Sequence, residues 1–190
     1  MPIPLGVLAV AGAGAAGGGG SYDLLETTLI SSNTASVTFS NLNNYSDYKH
    51  LQIRATGRTN RSANYVDIIN VRLNADTGSN YSQHGLGGDG SAVSSYGIAS
   101  QTGMPAGRFT AALVAASVFG SFVTEILDFS NSSKNTTIRG LTGFNDSGDN
   151  QVYLHSGAWL NTNAVTSITL LSSTGNSFVS GTRFSLYGIK

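Results

Sequence analysis

The sequence contains no cysteine and has little charge of either sign. Without cysteine, disulfides, thiolate metal sites, iron–sulfur clusters and cysteine nucleophiles are excluded. Charged residues make up 11% of the chain, against about 25% in an average protein, and ten Lys and Arg balance ten Asp and Glu. Nucleic acids and anionic membranes select clustered basic surfaces, so we predict neither as a partner. A surface with so little charge protects poorly against association, which favours a subunit of an assembly.

Groups for catalysis are also scarce. Glu26 and Glu125 are the only glutamates, and a glycosidase needs two carboxyl groups about 5–10 Å apart in a cleft. No motif pairs Glu125 with Asp128 or with Glu26. The three histidines are not spaced as metal ligands, and no G-x-S-x-G elbow is present. We therefore predict a non-enzymatic protein without cofactor or metal. Calcium remains an alternative at the acidic turns 74–80 and 145–150, although both lack the final glutamate of an EF-hand loop.

The first twenty residues carry no charge, and residues 6–20 are only Gly, Ala, Val and Leu. A secretory signal needs a basic residue before its apolar core, and Pro2 and Pro4 stand there instead. A membrane helix needs about 20 apolar residues, and this run is shorter. We predict a docking arm over residues 1–20, in which residues 11–20 are a loose tether; a disordered tail and a targeting signal are the alternatives. The predicted docking residues are Ile3, Leu5, Val7, Leu8 and Val10.

The rest of the chain, residues 21–190, predicts one all-β domain. Short runs rich in β-branched and aromatic residues are separated by Gly, Ser, Asn and Asp, and eight to ten such strands indicate an antiparallel β-sandwich, jelly-roll-like in topology. Residues 85–107 are predicted to form a long surface loop, and residues 109–117 fit a helix, a strand or a loop. The last run reaches Ile189, so we expect the C-terminus to lie in a sheet. The predicted strands are 34–39, 48–56, 65–73, 121–129, 135–144, 152–160, 165–171 and 178–189.

Arginines form one local basic group, at Arg54, Arg58 and Arg61. Arg54 and Arg58 would share a face if the strand continues through both. Guanidinium groups in that position suit phosphates or an acidic partner surface. A solvated sheet face is the alternative interpretation.

The run 152–160 carries aromatic side chains on one face and aliphatic side chains on the other. Tyr153, His155 and Trp159 alternate with Leu154, Ala158 and Leu160. If the aliphatic face is core, the aromatic face is free for a neighbouring subunit or a sugar, because Tyr and Trp combine a large contact area with a polar group. Packing of the aromatic face between the two sheets is the alternative.

Several segments carry a resemblance to a known class of protein. They are MPIPLGVLAVAGAG at the N-terminus, SYDLLETT, YKHLQIRATGRT, NADTGSNYSQHGLGG and the C-terminal GTRFSLYGIK. Together they resemble small structural proteins of tailed bacteriophages, especially marine phages. The resemblance spans most of the chain but includes no catalytic motif, so no functional residue is transferred from it.

The resemblance implies a virion protein with a β-sandwich body, assembled in the cytoplasm of the host bacterium, where the absence of cysteine suits a reducing environment. We expect a tail-associated fibre or spike module that is anchored by its N-terminal arm. Its expected partners are capsid or tail proteins and further copies of itself, with a trimer favoured. A head decoration (cement) protein is one alternative. A carbohydrate-binding or polysaccharide-degrading module acting on bacterial surface glycan is another.

Overall fold

The computed structural model describes residues 21–145 and 150–190. The predicted docking residues Ile3, Leu5, Val7, Leu8 and Val10 lie outside this part, as do residues 146–149 of the second acidic turn. The described chain is built from β-strands and one short 3-10 helix, Leu42–Tyr45. The strands are β1 Tyr22–Leu29, β2 Ser36–Phe39, β3 His50–Gly57, β4 Val66–Leu73, β5 Tyr81–Gly88, β6 Val93–Gln101, β7 Met104–Thr110, β8 Gly120–Leu127, β9 Thr136–Asn145, β10 Asn150–Trp159, β11 Ile168–Ser172 and β12 Arg183–Ile189.

The strands form two antiparallel sheets that pack as a sandwich, which confirms the predicted fold class. The larger sheet has the order β1-β12-β3-β8-β9-β10-β5-β6, and the smaller sheet has the order β2-β11-β4-β7. The chain crosses between the sheets repeatedly, with β2, β4, β7 and β11 in the smaller sheet and the strands between them in the larger one. This is the topology of a jelly roll, whose two four-stranded sheets are β1-β12-β3-β8 and β2-β11-β4-β7. Strands β9, β10, β5 and β6 extend the larger sheet beyond β8.

The core lies between the two sheets and includes a cluster of aromatic rings. Phe109 of β7 stacks on Phe122 of β8 with ring centroids 5.1 Å apart, and Phe178 meets Phe184 of β12 edge-on at 4.8 Å. Aliphatic side chains of β3 and β4 complete the core in the phase that the sequence predicts, with Leu51, Ile53 and Ala55 on one strand and Ile69, Val71 and Leu73 on the other. The C-terminal strand pairs with β1 and β3, so the expectation for the C-terminus is confirmed.

The edge strand β7 is closed against the larger sheet by threonine hydroxyls. Thr142 of β9 accepts a hydrogen bond from the backbone N–H of Arg108 at 3.0 Å, and its hydroxyl also lies 3.1 Å from the Arg108 carbonyl. Thr124 of β8 donates to the carbonyl of Ala106. Unpaired edge groups invite pairing with another chain, and these hydroxyls satisfy them within the sandwich.

The prediction of a long surface loop over residues 85–107 is wrong. These residues end β5, form all of β6 and begin β7. The hairpin turn between β5 and β6 is short, and the Asp89 carboxylate accepts hydrogen bonds there from the backbone N–H groups of Ser91 and Ala92. Residues 109–117, which the sequence leaves open, end β7 and continue as turns. In the part of the chain that the structure describes, no helix is long and apolar enough to cross a membrane.

Candidate functional site

The outer face of the larger sheet carries a continuous row of exposed aliphatic side chains. Val123 of β8 is the cross-strand partner of Leu141 on β9, which pairs with Leu154 on β10, which pairs with Leu86 on β5. Directly opposed side chains lie about 5 Å apart and touch. These four side chains, which we call the apolar row, are between 38% and 54% exposed. An exposed apolar strip that is continuous across four adjacent strands is a candidate contact surface.

Polar and charged groups border the apolar row on one side. Glu125 accepts a hydrogen bond from the Arg139 Nε at 2.5 Å and another from the Gln52 amide at 3.1 Å. The opposite side continues the apolar surface through Val152, which is 60% exposed and lies between two glycines, Gly88 and Gly143, in the neighbouring strands. The surface is therefore an apolar strip with polar groups along one side, and polar groups at the margin of an apolar centre are typical of protein interfaces.

Arg54 lies at the β3 end of the apolar row, opposite Val123. Its guanidinium carbon is 4.4 Å from the centroid of the Tyr187 ring and 5.1 Å from that of Tyr22, and its Nε donates to the Gln52 side chain at 2.7 Å. With Thr56, Leu141 and others it lines a shallow depression of about 560 Å³. The position of Arg54 is thus compatible with the predicted contact role.

Arg58 does not share that surface, so the pairing of Arg54 with Arg58 on one partner-facing surface is corrected. Arg58 is buried, and its guanidinium donates to the carbonyls of Val114 at 2.6 Å, Ala115 at 3.0 Å and Val118 at 3.4 Å. The chain leaves the regular strand after Gly57, where β3 ends, and the side chain turns into the segment that follows β7. Arg58 organises that segment.

The aromatic face of β10 faces the sandwich interior, and its aliphatic face is outside. Trp159 and His155 are fully buried, whereas Leu154 and Leu160 are about half exposed. The structure therefore does not agree with the expectation of an exposed ligand face formed by Tyr153, His155 and Trp159. This face packs between the two sheets, which was the alternative interpretation. Two polar groups of this face find partners within the fold: the Trp159 indole N–H bonds the Asp76 carboxylate, and the His155 Nδ1 lies 3.2 Å from the Tyr96 hydroxyl.

Trp159 fixes the first acidic turn. Its indole N–H donates to the Asp76 carboxylate at 2.7 Å, and the Asn80 amide and the Gly78 backbone N–H donate to the same carboxylate at 2.9 and 2.8 Å. These donors, the indole first, lower the pKa of Asp76. The carboxylate that suggested calcium is thus engaged by N–H groups.

The remaining ionisable candidates do not converge. His50 accepts from the backbone N–H of Asp128 at 2.9 Å, His84 lies on β5 and His155 lies inside β10, and no group of three or more potential metal ligands occurs within residues 21–145 and 150–190. Glu26 on β1 and Glu125 on β8 are three strand spacings apart, about 14 Å, which is beyond the separation that a glycosidase pair needs.

No protein-family model matches the chain, and no curated protein matches it. The functional interpretation therefore depends on the geometry of the described residues and on the resemblance of the sequence segments.

Sequence reasoning missed the apolar row, although a signal for it exists. Val123, Leu141 and Leu154 each stand in a strand whose other face is also apolar, and an alternating pattern cannot then tell the outer face from the inner one. The signal is that three successive predicted strands carry apolar residues on both faces, so that each strand has an apolar residue that cannot be in the core.

Proposed function

We propose that the protein is a non-enzymatic structural component of a bacteriophage virion, a tail-associated fibre or spike module that assembles with further copies of itself. The single observation that supports assembly most directly is the apolar row, which leaves Leu86, Val123, Leu141 and Leu154 exposed on one flat face. Burial of apolar surface is the main driving force of association. The resemblance to phage structural proteins and the low charge of the chain support the same function.

We propose residues 3–10 of a neighbouring copy as the occupant of the apolar row. This segment is apolar and uncharged, as a surface of aliphatic side chains requires. It precedes Tyr22, which begins β1 at the edge of the same sheet. The row lies three to six strand spacings from that edge, about 14–29 Å, and ten extended residues span up to about 35 Å. The chain before β1 is thus long enough to cover the distance from β1 to the row within one sheet, and the trapping experiment below distinguishes the row of the same subunit from that of a neighbouring copy.

The assembly is tested by placing a charge in the row. Leu141→Asp is expected to shift the full-length protein from oligomer to monomer in sedimentation velocity, since a carboxylate cannot be buried there without a partner. The fold should persist because the position is exposed. Thr137→Asp is the matched control, since Thr137 is exposed on the same strand and the same face but outside the row. A monomeric wild-type protein, or an unchanged oligomer for Leu141→Asp, would contradict the proposal.

The occupant is tested by disulfide trapping, for which a chain without cysteine is well suited. A Val7→Cys chain is mixed with a Leu154→Cys chain and oxidised gently. We expect a mixed disulfide-linked dimer. If the Val7→Cys, Leu154→Cys double variant instead forms the bond within one chain and stays monomeric, the segment covers its own sheet and the proposal of exchange between copies fails.

Copy number per purified particle tests the location in the virion. Quantitative mass spectrometry against the major capsid protein should give a few to a few dozen copies for a tail or spike module. A copy number close to that of the major capsid protein would indicate head decoration and contradict the tail location. Absence of the protein from the particles would overturn the virion role.

A further inference from the structure

The larger sheet extends past the edge strand β7, and a cleft lies under this overhang. Strands β5 and β6 follow β10 at the end of the larger sheet, and their inner faces meet the rim formed by β4 and β7. The cleft has a volume of about 330 Å³, within the usual range for small-molecule sites. Its lining includes Gln83, Tyr96, Ile98, Gln101, Pro105 and Arg108.

Two glycines of β5 shape the aromatic side of this region. A Cβ at Gly85 would lie 2.4 Å from the Tyr96 ring, and a Cβ at Gly87 would lie 2.4 Å from the Tyr153 ring. Only the missing side chains let both rings lie flat on the strand. The Arg108 guanidinium carbon stands 3.4 Å from the centroid of the Tyr153 ring, and its Nη1 donates to the Gln151 side chain at 2.9 Å. Tyr96 and Arg108, which line the cleft, are thus held in place, Tyr96 over Gly85 and Arg108 by the ring of Tyr153 and the side chain of Gln151.

Polar atoms without partners concentrate at this cleft. Gln83 is 8% exposed, and neither its Oε1 nor the Nε of Arg108 has a hydrogen-bond partner within residues 21–145 and 150–190. Behind them, the Nδ1 of fully buried His155 lies 3.2 Å from the Tyr96 hydroxyl, while its Nε2 is also unpartnered in the described chain. Buried polar atoms are nearly always hydrogen-bonded, to protein or to ordered water, so this group of atoms beside one cleft leaves hydrogen-bonding capacity for a polar ligand.

The side chains that line the cleft indicate which class of ligand it would bind. The amides of Gln83 and Gln101 and the hydroxyl of Tyr96 each offer both donors and acceptors, as sugar hydroxyls do. The Tyr96 ring and the side chains of Ile98 and Pro105 offer apolar surface for the C–H face of a sugar ring. No carboxylate stands among the described residues that line the cleft, so nothing there favours a cation. We propose that this cleft binds one pyranose-sized unit of a saccharide.

The test is a titration of the ¹⁵N-labelled full-length protein with glucose, galactose, N-acetylglucosamine and glucuronate, followed by amide chemical shifts. At least one sugar is expected to give saturable shifts at Gln83, Tyr96 and Gln101. Gln83→Leu should weaken that binding about tenfold or more, as the loss of one good hydrogen bond does. The variant should keep its melting temperature, because replacing an unpaired buried acceptor by an apolar group of similar size is nearly neutral.

Two results would overturn the proposal: no saturable shift at the cleft with any of the four sugars, or wild-type affinity in Gln83→Leu. Leu86→Gln is the matched control, since Leu86 lies on β5 but points to the outer face. It should bind the sugar normally while weakening assembly. The cleft proposal does not depend on the assembly proposal, and the two variants show separately which one fails.

Discussion

Arg58 stabilises the fold through the segment that follows β7. Three carbonyls, those of Val114, Ala115 and Val118, accept from its guanidinium. Arg58→Met removes a charged donor from all three, and hydrogen bonds to charged groups count for more than neutral ones. The Ala115 carbonyl keeps the N–H of Val118 and the Val118 carbonyl keeps the Thr110 hydroxyl, so the main loss falls on the buried Val114 carbonyl. We expect a loss of about 1–3 kcal/mol in the free energy of unfolding, measured by urea denaturation.

Arg54 supplies the control for Arg58. It is exposed, and its guanidinium lies over the rings of Tyr22 and Tyr187. Contacts of this kind at an exposed site are weak, so Arg54→Met should cost less than about 1 kcal/mol. Equal losses of unfolding free energy for the two variants would contradict the stabilising role of the hydrogen bonds that Arg58 donates.

The two arginines show that a residue pattern predicts which face of a strand a side chain is on only while the strand continues. Arg54 and Arg58 look equivalent in the sequence, since four positions apart on a strand means the same face. The equivalence ends because β3 stops at Gly57, and neither charge nor spacing signals that end. The environment of His155 is equally hard to predict. Burial and, second, the positive charge of Arg108 lower the pKa of His155 to about 4, and Arg108 is too far away in the sequence for a short-range pattern to indicate the contact.

At the scale of elements, strand β7 depends on side chains of the opposite sheet. Thr142→Val removes the hydroxyl that accepts the Arg108 N–H and that also lies 2.9 Å from the Ser121 carbonyl. An unsatisfied buried N–H costs about 1–3 kcal/mol, so the variant should unfold at lower urea concentration and aggregate more readily through the opened edge. Thr137→Val, at an exposed position of the same strand, should change neither property; equal effects would contradict the role of Thr142.

The strands themselves were largely predictable, and the exceptions have a physical cause. Alternation identified β3, β4, β9 and β10 because one face of each is buried. Strands β1, β5, β6 and β7 are absent from the predicted set. Strands β5 and β6 were missed because glycine and serine dominate them. Gly85 and Gly87 are in strand positions because tyrosines from the neighbouring strands cover them. Composition alone identifies such a stretch as a loop, since the compensating rings stand at distant positions of the sequence.

At the scale of the molecule, the larger sheet is complete only when its C-terminal strand pairs with strands from the beginning of the described chain. The C-terminal strand β12 lies between β1 and β3, and all its partners come from the first third of the chain. Contacts between residues so distant in sequence order late and cooperatively. The C-terminal strand is therefore integral to the sandwich, whereas residues 1–20 precede its first strand.

This difference predicts opposite results for two truncations. Deletion of residues 1–20 should leave a folded sandwich with a melting temperature close to that of the full chain, and it should abolish assembly and incorporation into particles, because the proposed occupant of the apolar row is removed. Deletion of residues 183–190 should abolish folding, since β1 and β3 lose their common partner, while deletion of Lys190 alone, which follows the end of β12, should be tolerated. Circular dichroism and sedimentation velocity measure both properties. Normal assembly of the chain that lacks residues 1–20 would refute the role of the arm, and the apolar row would then need a different occupant.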